Sequence, residues 1–262
     1  MENIIYDHSI SIHYKIFGQG KPLVLLHGYL ESVEVWGEFA QDLAKDFQVI
    51  CIDLPGHGKT GASGETSSME FMADCVHSVV NHLNINKLFL IGHSMGGYVA
   101  LAYLEKYKES LEGICLLHSH PFADSEATVE KRKREIEIVQ SGKKELIYNV
   151  NIPNAFANDN HEKFSDQIQQ CIRIAAKTSD EGIIAALNGM MIRPDRSNLL
   201  VNIEIPFIYV FGMKDNYIPQ SVFERIPASK NRKNIILEEA GHNGFIECKN
   251  LIVNSLSNSI KV

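Results

Sequence analysis

The residues whose types and spacing point most directly to chemistry are six in a row, 92–97, which read Gly-His-Ser-Met-Gly-Gly. Their serine, Ser94, follows an apolar run at 87–91 and precedes a helical pattern, which places it at a strand-to-helix junction. A serine in so tight a turn takes a strained backbone and needs small residues two positions away on either side, here Gly92 and Gly96. The pattern predicts that Ser94 is a nucleophile, with a helix N-terminus directed at the negative charge that develops.

A serine hydroxyl is a poor nucleophile until a base takes its proton and an acid fixes the tautomer of that base. In this class of site the chain order is serine, acid, histidine, with the acid and the histidine on loops after later strands. Asp215 follows a strand pattern at 206–211, and His242 follows another at 234–237. We therefore predict that Ser94, Asp215 and His242 are the catalytic residues.

Two backbone N–H groups are predicted to bind the oxyanion that forms when the serine attacks a carbonyl. One belongs to the residue after the nucleophile, Met95, and the other to the loop after an early strand. The apolar strand at 22–26 ends in a His-Gly-Tyr sequence, so Tyr29 is the expected second donor. The Tyr29 side chain is also a candidate for the pocket wall.

The elements that must position these residues alternate along the chain. Strand patterns lie at 4–6, 10–16, 22–26, 49–52, 87–91, 114–117, 206–211 and 234–237, with helical patterns at 35–44, 67–83 and 98–104. The helix near 67 is expected to begin with a capping box formed by Ser67 and Glu70. The alternation predicts an α/β fold, a mostly parallel sheet with helices on both faces. Ligands bind beyond the carboxyl ends of such strands, where Ser94, Asp215 and His242 all lie.

At these motifs the chain resembles the α/β-hydrolase superfamily, in particular its capped serine hydrolases. These include small esterases, lactonases such as 3-oxoadipate enol-lactonase, and carbon–carbon bond hydrolases. The matching segments are 27–28, 53–58, 92–97, 212–215 and 241–242, which span nearly the whole chain except its middle third. Epoxide hydrolases and haloalkane dehalogenases of this fold have aspartate at the elbow, so Ser94 argues against both. We interpret 53–58 as a structural loop, in which His57 has no evident catalytic partner.

The alternation stops in the middle third, where only helical patterns occur. They lie at 126–140, 143–150, 164–176 and 183–191. An insertion there, together with the resemblance, implies a helical cap, so we expect a core of residues 1–118 and 200–262 and a cap of residues 119–199. The apolar stripes of 164–176 and 183–191 are expected to roof the pocket, the alternative being that they pack only on each other.

Composition excludes several classes of partner. The 262 residues carry a formal net charge of -7, which gives no electrostatic footprint for nucleic acid. The basic run at 131–134 is flanked by glutamates and is expected to be a solvated, salt-bridged helix face. No apolar stretch approaches the ~20 residues that cross a bilayer, and residues 1–6 lack the features of a signal peptide. We expect no membrane partner.

Cysteine and histidine usage favours neither disulfides nor a metal. The five cysteines are scattered without a close-spaced ligand pair, which favours buried free thiols in a cytoplasmic protein. His118 and His120 follow a strand one residue apart, but no carboxylate or cysteine stands at a useful spacing. A place at the pocket rim is favoured for them, and we expect neither a metal nor an organic cofactor.

The predicted function is a serine hydrolase that transfers an acyl group to water in two steps. Because the cap stripes suggest an apolar roof, a small-to-medium ester, thioester or lactone is favoured as the small-molecule substrate. The residues leave open a carbon–carbon bond hydrolase or an acyltransferase with the same triad, a lyase, and a ligand-binding receptor. Asp124, after an earlier strand, is the alternative to Asp215 as the acid. The oligomeric state stays open.

Overall fold

Eight strands pair into one sheet in the computed structural model, which describes residues 2–201 and 203–261. The strands are β1 (Glu2–Asp7), β2 (Ile10–Phe17), β3 (Pro22–Leu26), β4 (Gln48–Ile52), β5 (Leu88–His93), β6 (Leu111–Leu117), β7 (Phe207–Gly212) and β8 (Arg232–Leu237). Their spatial order is β1-β2-β4-β3-β5-β6-β7-β8. β1 and β2 pair antiparallel, as do β2 and β4, whereas every pair from β4 to β8 is parallel. The predicted α/β class is confirmed.

Helices connect these strands. They are α1 (Gly37–Leu43), α2 (Met69–His82), α3 (Met95–Tyr107), α4 (Glu126–Gln140), α5 (Glu145–Asn154), α6 (Ser165–Ala176), α7 (Asp180–Met191), α8 (Asn198–Val201), α9 (Gln220–Arg225), α10 (Gly244–Glu247) and α11 (Lys249–Ile260). A 3-10 turn, Val33–Trp36, leads into α1, and two further 3-10 turns are Lys108–Ser110 and Asn158–Asn160. The predicted helices agree with these bounds to within a few residues, whereas the sequence patterns did not predict α8, α9, α10 or α11.

The central strands are buried on both faces, as a parallel sheet between two helical layers requires. Every residue of β5 and β7 is buried, and so is every residue of β3 after Pro22. The outer strands differ, because β1 is largely exposed and β8 alternates buried with exposed positions over its last half. The centre of the sheet therefore provides a rigid base for the loops at its carboxyl edge.

The topology places a crevice at the carboxyl ends of β3 and β5. From β3 the chain moves to β4 on one side and then to β5 on the other, so the two connections diverge. Such a switch point is where open α/β sheets bind ligands. The loop with Tyr29 follows β3, and Ser94 follows β5.

The predicted capping box at Ser67 is wrong by one residue. The N-cap of α2 is Ser68, whose hydroxyl accepts a hydrogen bond from the Phe71 N–H at 3.1 Å. Ser67 is buried instead, and its N–H donates to the Ala185 carbonyl. Because Ser67 and Ser68 are adjacent, either could serve as the N-cap of α2. The hydrogen bond of Ser67 to α7 leaves Ser68 as the cap.

Four helices, α4 to α7, follow one another between β6 and β7. α4 packs on α7, and α5 packs on α6 and on α4. Two of them begin with serine N-caps, Ser125 for α4 and Ser179 for α7, whose hydroxyls accept backbone N–H donors three residues later.

The cysteines are free, with Cys51, Cys75, Cys115 and Cys171 buried and Cys248 half-buried. The prediction of buried thiols therefore holds for four of the five. Within residues 2–201 and 203–261, every helix is too short or too polar to cross a bilayer.

Candidate active site

Ser94 sits on the sharp turn that the sequence predicts. It lies between the end of β5 and the start of α3 with φ 48° and ψ -115°, a conformation that a non-glycine residue adopts only when its surroundings enforce it. A Cβ at Gly92 would lie 2.2 Å from the Gly96 carbonyl oxygen, and one at Gly96 would lie 2.3 Å from the Leu26 carbonyl oxygen. Glycine at both positions is therefore a steric requirement of the turn.

The backbone of Ser94 is held from both sides. Its N–H donates to the Leu117 carbonyl at 3.1 Å, and its carbonyl accepts from the Ser119 hydroxyl at 2.7 Å. Met95 is the first residue of α3, so its N–H is among those that have no acceptor within the helix. The turn thus carries both a hydroxyl and an unused backbone donor.

Asp215 and His242 meet beyond the ends of β7 and β8. The Asp215 Oδ2 lies 2.8 Å from the His242 Nδ1, and the Asp215 Oδ1 accepts the N–H groups of Tyr217 at 2.8 Å and Ile218 at 2.9 Å. Burial alone would raise the pKa of Asp215, but the His242 charge and the histidine hydrogen bonds outweigh it and lower that pKa. Asp215 is thus an oriented carboxylate that accepts a hydrogen bond from the His242 Nδ1–H. The His242 Nε2 is left free of this contact and can accept a proton.

His118 is a second partner of the same carboxylate. Its Nδ1 lies 3.3 Å from the Asp215 Oδ2, and its side chain is fully buried at φ 47°. Burial lowers the pKa of His118 to about 4, so the ring is neutral near pH 7 and its Nδ1–H donates to the carboxylate. Sequence spacing failed to associate His118 with an acid, because Asp215 is 97 residues away in the chain.

His118, Asp215 and His242 together offer ligand atoms that lie within 4.8 Å of one another, a spacing at which a metal ion can be held. The same atoms are engaged in hydrogen bonds between the carboxylate and the two imidazoles. His120 is apart from this group, since its Nε2 lies 3.3 Å from the Tyr98 hydroxyl and the side chain lines the cavity described below.

A buried ion pair connects the loop after β3 to the loop after β8. The Glu31 Oε2 accepts the Gly28 N–H at 2.6 Å and lies 3.0 Å from the His93 Nδ1. The His93 Nε2 lies 3.0 Å from the carbonyl oxygen of His242. Both ring nitrogens of His93 thus face acceptors, which favours the doubly protonated imidazolium. The pair fixes the backbone near Tyr29 and His242 together.

The pKa values of the pair move apart. For Glu31, burial would raise the pKa, but attraction to His93 and the hydrogen bonds outweigh it and lower the pKa below the ordinary 4.5. For His93, burial would lower the pKa, but the Glu31 charge and hydrogen bond raise it above the ordinary 6.5. The stability from Glu31 is lost as the pH falls through its lowered pKa, and that from His93 is lost as the pH rises through its raised pKa.

We therefore expect Glu31→Gln to destabilise the protein most between about pH 4.5 and 6.5, by roughly 3 kcal/mol, because both partners are charged in that window. The difference from wild type should shrink as the pH rises through the raised pKa of His93, where the imidazolium loses its proton. Thermal unfolding across pH measures this. Glu34→Gln, which removes an exposed glutamate paired with Lys177, is the control. A pH-independent loss for Glu31→Gln would contradict the ion-pair interpretation.

Ser94 and His242 open into one cavity of about 390 Å³. Its wall is built from the segments that follow β3, β5, β6, β7 and β8, and residues of α4 and α5 complete it. This volume suits a small molecule rather than a polymer. Tyr29 and His120 also line it, as the sequence predicts for a pocket wall and rim.

The predicted roof is wrong. Among the residues described, α6 contributes none to the cavity wall and α7 contributes Met190, whereas α4 and α5 contribute six. The apolar stripe of α6 packs on α5 and on the 3-10 turn at 33–36, and α7 packs on α4. The stripes therefore pack neither over the cavity nor on each other alone, but hold α4 and α5 in place.

The interpretation of the basic run at 131–134 is wrong for two of its four residues. Lys131 and Arg132 line the cavity, and the Arg132 Nε donates to the Asp124 carboxylate at 2.6 Å. Lys133 pairs with a glutamate one turn earlier, and Arg134 is exposed, as expected of a solvated face. The wall thus carries charged side chains as well as apolar ones.

Asp124, the alternative acid, is bonded to arginines. Its carboxylate accepts from Arg132 and also from the Arg193 Nη1 at 2.7 Å. Burial would raise the pKa of Asp124, but the two guanidinium groups outweigh it and lower the pKa. Asp215 rather than Asp124 contacts the His242 ring.

The sequence analysis missed Glu31, Arg132 and Arg225 as residues of the site. Its placement of His118 at the pocket rim is wrong, because that side chain is buried against Asp215 and is not among the residues that line the cavity. One signal was present: Thr128, Arg132, Glu135 and Val139 recur at helical spacing, which places Arg132 on the buried face of α4. No comparable local pattern marks Glu31 or His118, because their partners come from distant segments.

Comparison with known proteins agrees with this geometry. A family model described as alpha/beta hydrolase fold matches residues 21–135. The chain is 27% identical over 248 residues to the pimeloyl-[acyl-carrier protein] methyl ester esterase of Aeromonas hydrophila, covering 90% of this chain and 94% of that protein. A malate-bound thermophilic esterase from Thermogutta terrifontis superposes with a TM-score of 0.93 at 27% identity, covering 100% and 98% of the two chains. The enol-lactonase from Burkholderia xenovorans has the same fold, with a TM-score of 0.91 at 18% identity and coverage of 99% and 100%.

The sheet order, the strand-to-helix turn and these matches define the class: the chain has the α/β-hydrolase fold, and its resemblance to that superfamily is supported. It is an α/β-hydrolase enzyme, and the relatives that match it over most of its length include esterases.

Proposed function

We propose that the chain is a carboxylic ester hydrolase in which Ser94, Asp215 and His242 form the catalytic triad. The observation that carries the proposal is the position of Ser94 on a strained turn at the wall of the cavity that His242 also lines, with His242 hydrogen-bonded to Asp215. Ester hydrolysis is supported by the esterase relatives over nearly the full chain.

In the proposed mechanism, the His242 Nε2 takes the Ser94 proton as the hydroxyl attacks the ester carbonyl. Asp215 accepts the Nδ1–H and stabilises the imidazolium that forms. His242 then protonates the leaving alcohol and afterwards removes a proton from the water that hydrolyses the acyl-enzyme. His118 keeps the Asp215 carboxylate in place by donating a second hydrogen bond to it.

The oxyanion of each tetrahedral intermediate is proposed to bind the N–H groups of Met95 and Tyr29. Met95 begins α3, and Tyr29 lies in the loop that Glu31 and His93 brace through the Gly28 N–H. Such donors are effective because they are oriented before the charge develops.

We further propose that residues 119–199 act as a cap on a core of residues 1–118 and 200–262. The support is that α4 and α5 line the cavity, while α6 and α7 pack behind them. A wall that closes over the site excludes water from the electrostatic contacts and restricts the substrate to small-to-medium esters, thioesters or lactones.

A fluorophosphonate ester tests the nucleophile. We expect it to modify the protein once, with the added mass on the peptide that contains Ser94, because only an activated serine hydroxyl attacks phosphorus at a useful rate. Mass spectrometry of the digested protein locates the modification, and heat-denatured protein is the control. Modification of another serine, or none, would contradict the proposal.

A further inference from the structure

Three cationic side chains line the cavity beside the proposed catalytic residues. Lys131 and Arg132 come from α4, and Arg225 ends α9. Two separate elements therefore direct positive charge at the same space. The wall also carries three carboxylates, those of Glu31, Asp124 and Glu135.

The carboxylates of the same wall already have donors. Glu31 is bonded to His93 and to the Gly28 N–H, and Asp124 is shared by the guanidinium groups of Arg132 and Arg193. Asp124 thus faces two positive charges with one negative charge. Glu135 accepts from the Asn151 side-chain amide at 3.2 Å. The charges of Glu31 and Asp124 are therefore already compensated by cations.

Lys131 and Arg225 have no such partner. Their charged groups lie over aromatic rings, the Lys131 Nζ at 5.3 Å from the Tyr217 ring centre and the Arg225 guanidinium at 4.3 Å from that of Phe122. Within the part of the chain that the structure describes, neither forms an ion pair with a carboxylate, unlike Lys133, which lies two positions after Lys131 in α4. The rings orient the two cations and leave their N–H donors unused.

We infer that this wall binds an anionic group of the substrate, and that the enzyme prefers esters whose acyl chain ends in a carboxylate. The inference rests on the proposed ester hydrolysis at Ser94 and names its substrate class. Cations that have no counter-ion on a cavity wall attract ligands of the opposite sign. The cavity of about 390 Å³ holds a small molecule with the ester at one end and the carboxylate at the other.

Two six-carbon esters test the preference, mono-p-nitrophenyl adipate and p-nitrophenyl hexanoate, which differ in the terminal carboxylate. We expect a higher kcat/KM for the adipate ester, and we expect the double variant Lys131→Gln/Arg225→Gln to lower the adipate-to-hexanoate ratio about tenfold. Added salt should lower the ratio in wild type more than in the variant. Both side chains are exposed, so the substitutions should leave the fold intact, which the Tm checks. Arg132 is left unchanged because Asp124 depends on it.

Lys133→Gln is the matched control, since it removes a neighbouring charge of the same helix and should leave the ratio unchanged. A wild-type ratio of one or less, or a ratio equal in wild type and double variant, overturns the inference while hexanoate turnover still supports ester hydrolysis. If neither ester is hydrolysed, the proposed function fails, and calorimetric titration with adipate decides the anion site alone. There we expect about tenfold weaker adipate binding in the double variant; equal binding, or tighter binding of inorganic phosphate than of adipate, overturns it.

Discussion

Ser94→Ala is expected to lower the turnover of p-nitrophenyl esters by at least about a thousandfold and to leave the fold unchanged. The covalent route needs the hydroxyl, whereas backbone donors and binding account for the small remaining rate. The turn itself is held by the backbone N–H and carbonyl of residue 94, and the required glycines stay in place. Kinetics with acetyl to decanoyl esters, together with the Tm, measure both parts of the prediction.

Ser78→Ala on α2 is the control for that experiment, because this serine lies outside the cavity wall, where its hydroxyl bonds to the Asp74 carbonyl and to the His8 ring. Turnover close to wild type in Ser94→Ala would remove the triad proposal altogether. A large loss of Tm would mean that the hydroxyl supports the turn, and the kinetic loss would then say little about chemistry.

The sequence predicts the core well because each part of it is specified locally. The apolar runs of β3, β5 and β7 are continuous, as burial on both faces demands, and each ends at a small or polar residue. The turn at Ser94 requires glycine at positions 92 and 96 for steric reasons, and the two glycines are recognisable in the sequence. Asp215 and His242 follow strand ends, and parallel strands bring such ends to one edge of a sheet.

The cavity wall is harder to predict because it depends on how helices pack against one another. An apolar stripe indicates that a helix face is buried, but it does not say against what, and α6 and α7 bury theirs behind α4 and α5. The opposite error concerns Lys131 and Arg132, since flanking glutamates suggest a solvated face that a partner such as Asp124 changes. Hence the expected apolar roof is a wall of mixed charged and apolar side chains.

The contacts of His118 and Glu31 are also hard to predict from the sequence. His118 reaches Asp215 across 97 positions, and Glu31 reaches His93 across 62. Each contact joins loops at the ends of neighbouring or near-neighbouring strands, so it follows from the sheet order and not from any local spacing.

Asp215→Asn is expected to lower turnover by about ten-thousandfold with little loss of stability. The asparagine oxygen can still accept the N–H groups of Tyr217 and Ile218, so the loop keeps its shape. Its amide group, however, donates where the carboxylate accepted, and this favours the His242 tautomer with the proton on Nε2, which cannot take the proton of Ser94. Steady-state kinetics and thermal unfolding on the same preparations measure the two effects.

Asp124→Asn is the comparison that distinguishes the two candidate acids. Like Asp215→Asn, it replaces one carboxylate oxygen by an amide group, at a second carboxylate of the same site. The side chains of Asp124 and Arg193 are 3% and 2% exposed, so the substitution leaves a buried guanidinium without its counter-ion and should cost about 3 kcal/mol of stability. Its effect on turnover should be far smaller than that of Asp215→Asn, since Asp124 is bonded to Arg132 and Arg193 and not to the His242 ring. If Asp124→Asn instead abolishes turnover at an unchanged Tm, then Asp124 is the acid, and the hydrogen bond between Asp215 and His242 is structural.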